Sequence, residues 1–131
     1  MRLFTKAILK KLTANGASDF EAIAYGRGAT EDFVPVVKLF TPDGAATWLL
    51  TALELDTDGE GGERALAPTG RAFGLCDLGM GFPELGYVSI DELKELRGAM
   101  GLPVERDRWF KGSKPLSEYA DEARAKGRIA A

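Results

Sequence analysis

The 131-residue sequence contains no histidine, the one side chain whose ordinary pKa places proton exchange near neutral pH. Ser-His-Asp and Cys-His nucleophilic catalysis, histidine-ligated zinc and H-E-x-x-H hydrolysis are excluded together. Any enzyme built on this chain would have to use carboxylates, Lys, Tyr, or an activated Ser, Thr or Cys. Cys76 is the single cysteine, so an intrachain disulfide and a multi-cysteine zinc site are excluded as well, and a reducing compartment is expected. No apolar run approaches the roughly 20 residues of a membrane span, and "MRLFTKAILKKL" lacks the uninterrupted core of a signal peptide. A cytoplasmic protein with no membrane partner is the expectation. Charge excess is also small: a formal net charge of −3 argues for neither a nucleic-acid binder nor a polyanion from bulk electrostatics.

What is present has the balance of a soluble globular fold, with 45% hydrophobic and 28% charged residues. One domain spanning 1–131 is expected, burying roughly two-thirds of the surface of its unfolded chain. Such a core needs no metal or disulfide staple, and no cofactor is expected. Charge is unevenly spread. Residues 1–18 carry only positive side chains (Arg2, Lys6, Lys10, Lys11), whereas "ELDTDGEGGE" carries only negative ones (Glu54, Asp56, Asp58, Glu60, Glu63). A basic end and an acidic edge follow.

In "LFTKAILKKLTANG", Thr5 is a good N-cap, Phe4 and Leu9 stand at staple positions, and Ile8, Leu9 and Leu12 form an apolar stripe. A short amphipathic helix ending at Gly16 is predicted. "SDFEAIAYGRGATEDF" carries no decisive pattern. "VPVVKLFTPDGAATWLLTALEL" then predicts an antiparallel hairpin with strands near 34–41 and 45–55, turning at Pro42, Asp43 and Gly44. Its apolar runs do not alternate, which predicts a sheet covered partly on both faces. The Gly-rich acidic stretch at 57–70 reads as a long exposed connection; no frame of it satisfies the EF-hand pattern, because a terminal Glu is lacking wherever Gly falls at the sixth position.

"RAFGLCDLG" and "ELGYVS" predict two further strands. "YVSIDELKELRGAMG" predicts a helix capped by Ser89 and Glu92, stapled by Val88 and Leu93, with Ile90, Leu93 and Leu96 inward and Gly98 as its stop. A last strand is placed in "LPVERDRWF" and a last helix in "SEYADEARAKG", introduced by Pro115 and Ser117, ending at Gly127, with Glu122 and Lys126 one turn apart. The fold class is α+β: a mainly antiparallel sheet of four or five strands with about three short helices packed on it.

The stretch "GLCDLGMGFPELGYVS" at 74–89 is the main functional candidate. Its "GMGFPE" departs from G-x-G-x-x-G at Glu84 and leads into a strand, so nucleotide binding through it is rejected. In the purely structural reading its glycines serve tight turns and Phe82 folds back as a hydrophobic plug. In the recognition reading, Phe82, Glu84 and Tyr87 form a protein-binding patch. In the catalytic reading, Asp77 and Glu84 meet across the turn as an acid/base pair or as oxygen ligands to Mg²⁺ or Ca²⁺. Cys76, in an apolar strand beside a carboxylate, reads as a small core residue, and Trp48 and Trp109 read as core aromatics. "RDRWFKGSK" offers Arg106, Arg108, Trp109 and Lys111 to phosphates and bases, opposed by Glu105 and Asp107.

"KLFTPDGAATWLLTALELD", "FGLCDLGMGFPELGYVS", "IDELKELRGAMGLPVERD" and "LSEYADEARAKGRI", in that order, resemble a bacterial family of small single-domain proteins filed as domain of unknown function 2958. The resemblance covers nearly the whole chain; "DGEGGERALAPTGR" is longer than the family pattern leads one to expect. The family is often encoded on plasmids and other mobile elements and offers no catalytic residues to carry over. Residues and resemblance together favour a non-catalytic interaction or accessory protein whose partner is another protein. A carboxylate- and divalent-metal-dependent hydrolase and a nucleic-acid-binding protein are the alternatives. No oligomeric state is assigned.

Overall fold

A computed structural model describes residues 3–24, 32–55 and 70–131. The first helix, α1 (Lys6–Ala24), begins as its sequence predicts: the Thr5 hydroxyl accepts from the Ile8 amide at 3.1 Å. It does not stop at Gly16. A Cβ there would lie 2.2 Å from the Leu53 carbonyl oxygen, so this glycine lets the helix press against a strand instead of ending it. The expected short helix therefore runs for 19 residues.

Among the described residues five strands follow: β1 (Val37–Phe40), β2 (Thr47–Leu55), β3 (Gly70–Asp77), β4 (Glu84–Ser89) and β5 (Glu105–Arg106). They form one antiparallel sheet in the order β4-β3-β2-β1-β5. The acidic connection read at 57–70 lies outside the described residues, apart from Gly70. At the β1–β2 turn, Thr41 does the local work: its hydroxyl accepts from the Ala46 amide at 3.0 Å. Asp43 instead reaches across to accept from the amides of Met100 and Leu102, at 2.7 and 3.2 Å.

That reach explains a second misread glycine. The helix α2 (Ile90–Glu95) is capped by Ser89, whose hydroxyl accepts from the Glu92 amide at 3.3 Å, but it is finished before Gly98, with Leu96 as C-cap. Gly98 leaves room for the Asp43 carboxylate, which a side chain would strike. Ile90 and Leu93 are buried as expected; Leu96 is exposed, because the helix ends before it can turn that residue inward.

The last helix, α3 (Leu116–Lys126), starts directly after Pro115 and ends at Gly127, whose φ of 72° suits glycine. Glu122 pairs with Lys126 at 3.9 Å, but its closer partner is Lys114 at 2.7 Å. That hydrogen bond holds the Glu122 carboxyl below the usual carboxylate range.

Both faces of the sheet are covered. Trp48, Leu50, Leu53, Val37, Leu39 and Ala72 pack with Leu9 and Leu12 of α1 and with Ile90 and Leu93 of α2. Leu49 and Leu75, pointing the other way, pack with Leu116, Tyr119, Ala120 and Ala123 of α3. Each large apolar side chain buried in these layers contributes about 1.5–3 kcal/mol relative to exposure. A bulge at Thr51 lets Leu50 and Leu53 share a face across an odd spacing. Its carbonyl accepts from Asn15 Nδ2 at 2.8 Å, which satisfies the buried amide of α1. Among the described residues, no helix is long and apolar enough to cross a membrane.

Candidate functional site

The segment leaving β3 is pinned by Asp77, which is 3% exposed. Its Oδ1 accepts from the Gly79 amide and its Oδ2 from the buried Ile129 amide, both at 2.9 Å. Strand alternation puts Asp77 on the α3 face. Glu84 faces the other way, because Cys76 and Glu84 are register partners and share a side. The acid/base or metal pairing of Asp77 with Glu84 is thus not formed: the strand pleat separates them, and the Asp77 oxygens already hold the backbone. Among the described residues, no three of His, Cys, Asp and Glu gather as a metal-holding group.

Beyond Asp77 the chain turns through Gly79 and Gly81, whose φ values of 81° and 87° belong to glycine. The turn leaves its apolar side chains outside. Phe82 is 80% exposed and Met80 69%, with Leu78 also exposed. Phe82 is not a plug; the fold offers it no hole at this edge. The turn runs beside the end of α3, where a Cβ on Gly127 would lie 3.8 Å from the Gly81 carbonyl oxygen.

The edge strand β4 then carries exposed Leu85 and Tyr87 on the α3 face. Tyr87 meets Phe73 edge-on, with ring centroids 5.1 Å apart, and lies under the Arg71 guanidinium at 4.0 Å. Arg71 is in turn fixed by Glu54 at 2.8 Å. Tyr87 is therefore held in place while half its surface stays open. Of the three residues proposed for recognition, Phe82 and Tyr87 are exposed and aromatic, while Glu84 stands exposed on the opposite face of the same edge strand. Sequence reading missed Leu78 and Met80, although their place between the turn glycines marks them as residues without a strand to bury them.

Cys76 packs against the main core. Burial pushes its thiol up to about 11 from an ordinary 9.0, the reverse of what a nucleophile needs. Because the native state holds this proton more tightly than the unfolded chain does, its contribution to stability is complete below pH 9 and declines as pH rises towards 11. Alkylation by iodoacetamide at pH 8 is expected to be at least tenfold slower in the native protein than in urea. Equal rates would show that the thiol is neither buried nor suppressed.

A second cluster stands at the opposite edge of the sheet. Trp48 is buried as expected, but Trp109 is 91% exposed, because β5 ends at Arg106 and the following residues leave the sheet. Trp109 shares an open cleft of about 560 Å³ with Lys38, Phe40, Glu105, Arg106, Asp107 and Arg108. Asp107 Oδ2 lies 3.5 Å from Lys38 Nζ, and its Oδ1 accepts from the Trp109 amide at 2.9 Å. Lys111 is exposed on the same strap.

No curated protein and no solved structure matches this chain. A family described as a protein of unknown function (DUF2958) matches it over residues 3–130, within which lie both the apolar edge and the basic cleft. The match covers almost the full length of a fold in which every described element finds its place, and the chain belongs to that family.

Proposed function

We propose that the protein is a non-catalytic interaction module that engages another protein through the β3–β4 turn and the edge strand β4. The observation that carries this reading is the run of exposed apolar side chains at 78, 80, 82, 85 and 87, concentrated in ten residues of one sheet edge. A chain with two filled cores has no folding reason to leave this much apolar surface in water, and such patches mark interaction sites. Among the described residues no strand pairs with the outer side of β4, so a partner strand can add there. The family resemblance, with its frequent plasmid and mobile-element setting, supports an accessory role in the bacterial cytoplasm in service of such an element.

The test compares wild type with a folded Met80→Ala/Phe82→Ala variant in pull-downs from nuclease-treated host lysate, followed by titration of the captured protein. Loss of two central contacts is expected to weaken binding about 30-fold or more. A partner retained equally by both proteins would remove the recognition role from this edge.

A further inference from the structure

The basic cleft at the β5 edge is separate from the β4 edge and lies at the other end of the strand order. We propose that it binds single-stranded nucleic acid, with Trp109 stacking on a base and Arg106 and Arg108 taking the adjoining phosphates.

The indole of Trp109 is almost wholly in water, although the chain had buried space for its other tryptophan. The backbone that carries it is nevertheless anchored. The backbone amide of Trp109 is bonded to Asp107, and Phe110 beside it packs against the α3 core. An aromatic face exposed on an anchored backbone offers a stacking surface, and every base has a complementary face. Guanidinium groups on either side of the acidic Asp107 supply planar, bidentate donors suited to phosphate. The charge of Asp107 is offset by Lys38 at 3.5 Å, and its other oxygen accepts from the Trp109 amide.

The dimensions favour a strand over a single nucleotide. A smaller cleft of about 310 Å³ shares Arg106, Asp107 and Arg108 with the first and continues to Thr5 and Ile8 in the first turn of α1. The two clefts share the segment Arg106–Arg108, and a ligand that occupies both must be longer than one nucleotide. Lys6, in the first turn of α1, and Lys111, next to Phe110, are both exposed. A duplex hides the base faces that Trp109 would need, whereas an unpaired strand presents them. Glu105, also in the cleft, repels phosphate but can accept from the exocyclic amines of cytosine or adenine. The site therefore grips few phosphates and should depend only modestly on salt.

Tryptophan emission gives a direct readout, because Trp48 is buried and Trp109 exposed. Titration with a mixed-sequence DNA strand of about eight nucleotides is expected to quench the solvent-exposed component. With two phosphates engaged, log K should fall with log salt at a slope of about −1.4, roughly a sevenfold weakening between about 50 and 200 mM. Trp109→Ala, which lacks that reporter and is followed by the anisotropy of a fluorescently labelled strand alongside wild type, should weaken binding about 5- to 150-fold. Arg108→Ala should reduce the slope by about 0.7, while Phe82→Ala at the other edge should leave the titration unchanged. The substituted side chains are exposed, and a thermal melt of each variant verifies its fold.

Absence of quenching up to about 1 mM strand at low salt would overturn the proposal, since even non-specific nucleic-acid binders saturate below that concentration. Binding by Trp109→Ala equal to wild type would do the same. A mononucleotide or a duplex that bound as tightly as the strand would also overturn it.

Discussion

Gly16→Ala is expected to destabilise the protein by about 3 kcal/mol, although helix propensity alone predicts a gain of about 1 kcal/mol for alanine in a helix interior. The sign is decided by geometry. The added methyl would sit 2.2 Å from the carbonyl oxygen of Leu53 and 2.9 Å from its carbon. Both atoms are backbone in the middle of a five-stranded sheet and cannot turn aside as a side-chain end would. α1 must withdraw, loosening the packing of Leu12 and lengthening the bond from Asn15 to Thr51. For a chain of this size the melting temperature should fall by about 10 °C. Gly86→Ala is the matched control, because its Cβ would meet nothing within 4 Å. A Gly16→Ala protein as stable as wild type would show that the helix and strand do not pack this closely.

Removing the Asp77 carboxylate should cost a comparable amount. Asp77→Ala leaves two amides without their acceptor, one of them buried, and hydrogen bonds to an ionised group contribute about 1.5–3 kcal/mol each. A loss of about 3–5 kcal/mol by urea denaturation is expected, together with faster proteolysis after α3, since Ile129 is no longer tied to the sheet. Asp77→Asn keeps one acceptor oxygen but turns an amino group towards an N–H, so its loss should be smaller, about 2 kcal/mol. Glu84→Gln, exposed on the far face, should change neither measurement. A stability unaffected by Asp77→Asn would return this residue to the list of groups free for chemistry.

These two residues also show which features were legible in the sequence. The caps at Thr5 and Ser89 act within one turn of chain, and both formed where the pattern placed them. The hairpin and the strands around Cys76 and Tyr87 are legible from strand-forming runs bounded by turn residues, and the covering of both sheet faces from apolar runs that do not alternate. Gly16 and Gly98 were misread as helix stops because what requires glycine there is a distant neighbour, Leu53 in one case and Asp43 in the other. Asp77 reads in the sequence as a candidate acid, base or metal ligand, and neither of its structural bonds is anticipated there. Its bond to Gly79 is local, whereas its bond to Ile129 spans 52 positions.

The recognition residues were identified by type but not by placement. Nothing in the order of letters says that Phe82 stays outside, since a Gly-rich turn can equally fold an aromatic ring inward. "ERDRWF" resembles a strand that would carry Trp109 into the core; β5 pairs only through Glu105 and Arg106, one more bond runs from the Asp107 amide to the Lys38 carbonyl, and the chain then leaves the sheet. An aromatic ring was thereby left at the mouth of a charged cleft, where the composition of the whole chain gave no indication of a basic surface.

The bulge at Thr51 has one more consequence, which concerns how many ways the first helix could sit on the sheet. Along a regular strand, an apolar helix can slide by a turn and find similar methyl groups beneath it, and each such position is a competing packing. Here the irregular carbonyl at Thr51 and the gap over Leu53 occur together, and Asn15 and Gly16 are adjacent. A slide of one turn would strand the amide of Asn15 in hydrocarbon and drive a side chain of α1 into the sheet. Two neighbouring residues thus act as an indexing key, and the helix has a single seat.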